Sequence, residues 1–371
     1  MYVHYIRTKG VILNSQSLSN GLVTLFTGVI FVFLNSGCSR STAKSRTTDN
    51  NTANTIQKLR LGYFPNVTHA AAILGIANGT FGKSLGPNVK IEEAIFNAGP
   101  AEIEALFSDQ IDIGFIGPGP AINGFLKSRG KALRIIAGAS SGGVSLVIRP
   151  DVGIKTISDL NNKRVADPQT GGTQDISLRF ALLQANLKGT DKGGTVSIQP
   201  MQNADTLTLF KKKEIDAAWV PEPWVTRLVT EVGGHILIDE RELWKDKKFS
   251  TAVVVVRSKF LEEHPDLVEK FLDGYVETVQ WIQANPSKLS PLVLAQIKRI
   301  SGKTLPEKTI TEALSRTEIT TDSLRNSIYS YADRSKLLGY QHVDHEGIKA
   351  IIDLKWINKS LKSKHLPEYA D

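Results

Sequence analysis

Five short stretches of this chain carry residue types that grip an oxyanion. Tyr63-Phe64-Pro65-Asn66-Val67-Thr68-His69 offers Asn66, Thr68 and His69 as side-chain donors, and Asn97-Ala98-Gly99-Pro100 offers Asn97. Gly117-Pro118-Gly119-Pro120 alternates open backbone, at Gly117 and Gly119, with fixed backbone. Gly138-Ala139-Ser140-Ser141-Gly142-Gly143 adds Ser140, Ser141 and Gly142. Pro168-Gln169-Thr170-Gly171-Gly172-Thr173-Gln174 adds Gln169, Thr170, Gly171, Gly172 and Thr173. Amide, hydroxyl and imidazole groups donate hydrogen bonds, and glycine lets a backbone N–H approach a ligand closely. The last stretch has the pattern of an anion cradle, successive N–H groups beside threonine hydroxyls. One glycine loop alone is a structural turn, and Asn66 or Thr68 can equally cap a helix. Five such loops, each after a strand-like run, point to one binding site.

Bond-making chemistry finds less support. Gly138-Ala139-Ser140-Ser141-Gly142 has the G-x-S-x-G form of a serine-hydrolase elbow, but that motif must lead from strand into helix. Here Val144–Ile148 reads as strand. His342, His345 and Glu346 lack the H-E-x-x-H spacing of a helical metal site, so no metal is expected. There is no P-loop and no G-x-G-x-x-G fingerprint, so no cofactor is expected either.

The elements that must hold these loops repeat. Ala101–Phe125 reads AEIEALFSDQIDIGFIGPGPAINGF, and the chain near residue 210 reads ADTLTLFKKKEIDAAWVPEPWVTRL. Each copy has Leu-Phe, a polar break, Ile-Asp (Ile111-Asp112, Ile215-Asp216), a short apolar run and Pro-x-Pro (Pro118-Gly119-Pro120, Pro221-Glu222-Pro223). Two similar α/β lobes follow, each with a proline-stiffened loop opening a helix at the sheet's C-terminal edge, where open α/β sheets bind ligands. A helix N-terminus there presents free N–H groups and partial positive charge. In the second copy Glu222 and Trp224 stand where Gly119 and Ala121 stand in the first. Glu222 is expected to meet a cationic or hydrogen-bonding part of a ligand or to orient another residue. Trp224 is expected either to wall an alkyl chain or to join the core.

Strands are expected at Leu59–Tyr63, Val89–Phe96, Ile111–Ile116, Leu133–Ala137 and Ser145–Ile148, with helices between them and the Gly/Ser loop before the last. This βα alternation predicts a mainly parallel sheet covered on both faces. A second lobe is expected to begin at residue 149, and the β-branched run Thr251–Val256 to return the chain to the first. The organisation is then lobe 1 from residues 58–148 and 251–371 and lobe 2 from 149–250, joined by a two-strand hinge. From Leu267 to Ile282 the apolar residues follow a 3.6-residue period, and further helices are expected to pack around lobe 1.

The start of the chain describes its address. Arg7 and Lys9 precede the apolar run Gly21–Leu34, too short for a comfortable membrane span but suited to a signal peptide over residues 1–37. The segment resembles a bacterial lipoprotein signal, departing from it at Asn35, where an aliphatic residue is usual. Cys38, the only cysteine, is then the lipidation site and a membrane anchor. Residues 38–57, with almost no large apolar side chain, form a flexible tether reaching about 25 Å. The charge is +8, from 45 Lys+Arg against 37 Asp+Glu. It is scattered rather than striped, so no nucleic-acid partner is expected.

GYFPNVTHAA, IDIGFIGPGP and DAAWVPEPW together resemble the nitrate/sulfonate/taurine class of ABC-transporter substrate-binding proteins, with the aliphatic sulfonate-binding members the nearest. The resemblance covers about residues 58–290. It implies a two-lobed periplasmic-binding-protein type II fold with a helical C-terminal tail. It also implies a small organic anion as ligand, an ABC permease and its ATPase as partners, and a monomer without enzymatic activity. A sulfonate would be held around Asn66–His69, Ser140–Gly142 and Thr170–Thr173. Nitrate, bicarbonate, taurine or a pyrimidine vitamin precursor remain alternatives, with a secreted hydrolase using Ser140 a remote one.

Overall fold

The computed structural model describes residues 57–370. The expected signal peptide, Cys38 and all of the tether but Gln57 lie outside the described residues. Gln57 begins β1 (Gln57–Tyr63). There follow α1 (Ala70–Ala77), α2 (Thr80–Leu85), β2 (Val89–Ile95), α3 (Gly99–Phe107), β3 (Ile113–Ile116), α4 (Pro118–Lys127) and β4 (Leu133–Gly142). The middle of the chain forms β5 (Val144–Ile148), β6 (Arg164–Asp167), α5 (Thr173–Gln184), β7 (Ser197–Pro200), α6 (Asn203–Lys211), β8 (Ala217–Pro221), α7 (Trp224–Val232) and β9 (His235–Asp239). The last part forms β10 (Ser250–Arg257), α8 (Ser258–Glu263), α9 (Pro265–Ala284), α10 (Pro286–Ser301) and α11 (Glu307–Ser315). It ends with β11 (Thr317–Ile319), α12 (Arg325–Leu337), α13 (His345–Ile348) and α14 (Lys355–Ser363).

Two sheets result, ordered β11-β4-β10-β3-β1-β2 and β7-β6-β8-β5-β9. They share one plan. In the first, β1 runs parallel to β2 and β3, and β10 lies antiparallel between β3 and β4. In the second, β6 runs parallel to β7 and β8, and β5 lies antiparallel between β8 and β9. In each sheet the antiparallel strand inside the order is the one that has just arrived from the other sheet, and at the edge of the first sheet β11 also runs antiparallel to β4. All eight residues of β10 are buried, as its run of valines requires of a central strand.

Two expectations need correction. Gly138–Gly142 is not a loop: β4 continues through it, pairing Ser140 with Ala252 and Ile319. Val144–Ile148, expected in the first lobe, pairs with β8 and β9 of the second sheet. The chain crosses at Gly142-Gly143, whose φ angles of +73° and +69° only glycine adopts freely. No polar break marks the crossing, because the chain stays buried through it. It returns through Glu240–Phe249.

The repeated Ile-Asp pair proves structural. Asp112 accepts hydrogen bonds from the Arg60 N–H and Nε, both at 2.9 Å, and from Arg257 Nη2 at 2.8 Å. Asp216 accepts from the Arg164 N–H at 2.9 Å and Nε at 3.0 Å, and faces Arg149 Nη2 at 3.3 Å. Each aspartate thus ties the first parallel strand of its sheet to the arriving antiparallel one. Burial pushes both carboxyls up, but the arginine hydrogen bonds outweigh it and hold both below the usual range.

On α9 the residues Leu267, Val268, Phe271, Leu272, Tyr275, Val276, Val279 and Ile282 are all buried, as their period predicts. Phe271 meets Phe81 of α2 at 4.8 Å, and Tyr275 meets Phe115 of β3 edge-on at 5.6 Å. The tail does not serve the first sheet alone. Tyr331 of α12 donates to Glu240 Oε1 at 3.0 Å, and Tyr340 donates to Asp175 of α5.

Candidate functional site

Between the two sheets' C-terminal edges lies a small cavity of ≈ 30 Å³, room for an ordered water or two. The first loop enters it after β1. Residues Val67–His69 form one 3-10 turn leading into α1. Asn66, Thr68 and His69 are each at least 95% buried and line the cavity. His69 Nδ1 accepts the Phe64 N–H at 3.3 Å, and its ring stacks on Phe64 at 4.4 Å. That bond fixes the tautomer with the proton on Nε2. Burial pushes the His69 pKa down to about 3, so at neutral pH this imidazole is an uncharged donor.

Four helix N-termini reach the same cavity. α3 brings Asn97, Ala98 and Gly99; α4 brings Gly117 and Pro120; α5 brings Gly172, Thr173 and Gln174; α6 brings Asn203. Their first-turn N–H groups have no intrahelical partners and carry the positive ends of the helix dipoles. Gln169, Pro168, Pro221 and Thr251 complete the wall with Phe64. Among the described residues no lysine, arginine or carboxylate lines it. The buried Asn203 Oδ1 has no hydrogen-bond partner among the described residues. Such a lining offers neutral donors and helix-end charge to a small anion, and nothing that attacks a bond.

Eight of the expected residues thus meet here: Asn66, Thr68, His69, Asn97, Gly117, Gln169, Gly172 and Thr173. Eight do not line the cavity. Gly119 serves closure: its N–H donates to Thr173 Oγ1 at 3.2 Å, and a Cβ there would sit 2.8 Å from Ile176 Cδ1. Thr170 and Gly171 turn to the outer side of their loop, where Gly171 accepts from Asn123 Nδ2 at 3.3 Å. Ser140, Ser141 and Gly142 lie inside β4; Ser140 Oγ is buried without a partner, and Ser141 Oγ accepts the Phe249 N–H at 3.3 Å. A strand interior is no nucleophile elbow.

Glu222 and Trp224 bridge rather than line. Glu222 accepts from the Thr226 N–H at 3.0 Å, its Oγ1 at 3.1 Å, and Arg316 Nε at 2.7 Å. Burial raises its pKa, against the pull of Arg316. Of its two expected roles it fills the second, capping α7 and holding Arg316. Trp224 Nε1 donates to Asn66 Oδ1 at 3.2 Å across the cleft, and Arg227 stacks on its ring at 4.7 Å. It is not among the residues that line the cleft cavity. With Asn97 Nδ2 to Gln202 Oε1 at 3.3 Å, these contacts hold the two edges together.

Sequence reasoning missed Asn203 and Thr251. The repeat itself could have found Asn203, which opens α6 as Gly99-Pro100 opens α3. Thr251 had no such signal, since it lies near the start of a β-branched strand that ends in four valines and an arginine.

The sequence model of the NMT1-like family matches residues 52–293. Binding proteins of Brucella abortus are 31% identical over 195 residues, 52% of this chain and 58% of theirs, so the chain spans little more than half the length of those relatives. The taurine-binding periplasmic protein of Escherichia coli is 29% identical over 61% of this chain and 68% of its own. Among solved structures, the periplasmic aliphatic sulphonate binding protein of Escherichia coli superposes with a TM-score of 0.63 at 22% identity, covering 82% of this chain and 99% of that one. The periplasmic nitrate-binding protein of Synechocystis superposes with a TM-score of 0.69 at 14% identity, covering 84% and 90%. These structures have the two-lobed periplasmic-binding-protein fold that this chain shares.

Proposed function

The chain belongs to the NMT1-like family, and from that premise we propose that it is the extracytoplasmic substrate-binding component of an ABC importer. It captures a small anion, an aliphatic sulfonate, between its two sheets and delivers it to a membrane permease with its ATPase. It works as a monomer, makes and breaks no bond, and is held at the membrane by acyl chains on Cys38. The observation that carries this reading is the cavity's lining. Four helix N-termini and the donors Asn66, Thr68, His69, Asn97 and Thr173 converge there, with no cationic side chain among the described residues. A sulfonate keeps its charge at every accessible pH and carries three acceptor oxygens, so it needs donors and no proton acceptor. Taurine and sulfonate specificity among similar proteins supports the same choice.

The closed cavity of ≈ 30 Å³ also favours a compact anion, nitrate or bicarbonate, as a second reading. An alkyl chain enters only if the lobes part further. The pyrimidine alternative leaned on Glu222 and Trp224, which are engaged by Arg316 and Asn66. A calorimetric screen of ethanesulfonate, longer alkanesulfonates, taurine, nitrate and bicarbonate tests the proposal. A sulfonate is expected to bind at micromolar concentration. Micromolar nitrate or bicarbonate with only millimolar sulfonate would replace it by the second reading. Mass spectrometry of the mature N-terminus tests the anchor, and an unmodified start elsewhere than Cys38 rejects it.

A further inference from the structure

Away from the cleft, a second hollow opens between the returning segment Glu240–Phe249 and the C-terminal helices. At ≈ 620 Å³ it has the size of a ligand pocket. Trp244, Lys245 and Lys248 form one wall, and the start of α12 forms the other. Ser327, Ser330 and Arg334 follow one another along α12 at intervals of three and four residues, so they share a face; Ser323 lies just before the helix, and all four line the hollow.

Two of these side chains lack hydrogen-bond partners among the described residues. Ser323 is 1% exposed, and among the described residues its hydroxyl makes no hydrogen bond although it lines the hollow. Arg334 stacks its guanidinium 3.7 Å from the centre of the Trp244 ring and 4.5 Å from that of Phe180. That guanidinium makes no hydrogen bond or salt bridge among the described residues. Its neighbour Glu240 already accepts from Ser177, Trp219, Tyr331 and Trp244. A part-buried cation with unused N–H groups is unfavourable unless acceptors arrive from outside.

The helix end adds to this. Leu324, with φ +53°, accepts the Ser327 and Ile328 N–H groups. The Arg325 and Asn326 N–H groups open α12, where no intrahelical acceptor exists. Lys245, Lys248, Arg325 and Arg334 outnumber the two lining carboxylates, Asp246 and Asp322. Lys248 is engaged with Glu318 at 3.0 Å, and Asp322 Oδ1 is engaged by the Leu324 N–H at 2.8 Å.

We propose that this hollow is a second ligand site, separate from the cleft, that takes a small multiply charged oxyanion of the sulfate or phosphate class. Arg334, the Ser323 hydroxyl and the first turn of α12 supply the donors. The ring of Trp244 keeps the guanidinium in place.

The test titrates inorganic sulfate and inorganic phosphate by calorimetry into the wild type, Arg334→Gln, Ser323→Ala and the cleft variant Thr173→Ala. Wild type and Thr173→Ala are expected to bind one of the two ions with a sub-millimolar Kd. Losing one charge-assisted hydrogen bond weakens binding about 10-fold or more, and losing the hydroxyl about 5- to 10-fold. Ser323→Ala keeps the test alive if thermal melts show that Arg334→Gln is misfolded. No saturation of the wild type by about 10 mM, or equal binding by folded Arg334→Gln and Ser323→Ala, overturns the proposal. Binding lost in Thr173→Ala alone would place the ion in the cleft, ending the second-site idea and leaving the first reading intact.

Discussion

Replacing His69 by glutamine should remove an acid sensitivity that the cleft builds into the fold. The imidazole titrates near 6.5 when exposed, and in the folded protein burial pushes it down to about 3. Between those values the unfolded chain binds a proton that the folded chain refuses, so stability falls as the pH drops below 6.5. At pH 5 the unfolded histidine is almost wholly protonated and the folded one almost wholly neutral. The loss relative to pH 7.5 is then about 2 kcal/mol, and it changes little for any folded pKa below about 4. The His69→Gln side chain keeps a neutral donor without the titration. Urea unfolding of wild type and variant at both pH values isolates the effect, because the other titrating groups cancel in the difference. The stability gap between the two proteins should shift by about 2 kcal/mol in the variant's favour on going to pH 5. A shift within about 0.5 kcal/mol of zero would mean that His69 protonates freely in the fold, and the uncharged-donor account of the cavity would be wrong.

Asp112→Ala strands Arg60 and Arg257 and should destabilise the protein by about 3 kcal/mol; Asp216→Ala should do the same through Arg164 and Arg149. A change below about 1 kcal/mol in either would show these clamps to be decorative. Both clamp carboxyls lie below their ordinary pKa, so their contribution is present above about pH 4 and lost as the pH falls through the folded value; acid unfolding of Asp112→Ala should lack that component. In Gly117→Ala the new Cβ would fall 2.2 Å from Thr173 Oγ1. Ligand affinity should drop at least about 10-fold while the melting temperature moves little, and unchanged affinity would separate this contact from closure. Glu222→Gln keeps the cap on α7 and loses the charge facing Arg316. It should weaken sulfonate binding less than about 3-fold, whereas a large loss would put Glu222 in contact with ligand.

The repeat made the architecture legible, because helix, strand and proline corner recur with nearly constant spacing. Its Ile-Asp pair was visible without its meaning, since the arginines that clamp Asp112 and Asp216 lie far off in sequence, at 60 and 257 and at 164 and 149. The glycine loops were legible as a class, and Gly172 and Thr173 do reach the cavity. Composition could not tell a loop from a glycine- and serine-rich strand, and so Ser140–Gly142 was misplaced. Nor could it tell a glycine that admits a ligand from Gly119, which admits the facing helix. Glu222 and Trp224 stood at the right corner, yet their side chains turn to Arg316 and Asn66. Spacing fixes where a backbone goes sooner than which way a side chain points.

The most direct measurement is a calorimetric titration of ethanesulfonate and nitrate, whose charge is constant, into the wild type and Thr173→Ala across pH 6 to 9. With His69 neutral throughout and no charged group among the described residues on the wall, one of these anions should bind at micromolar concentration. Its affinity should be flat over that range, and Thr173→Ala should weaken it about 10-fold or more. An affinity that falls steeply across the range, or that survives the loss of Thr173 unchanged, would contradict an uncharged, helix-end grip on the anion.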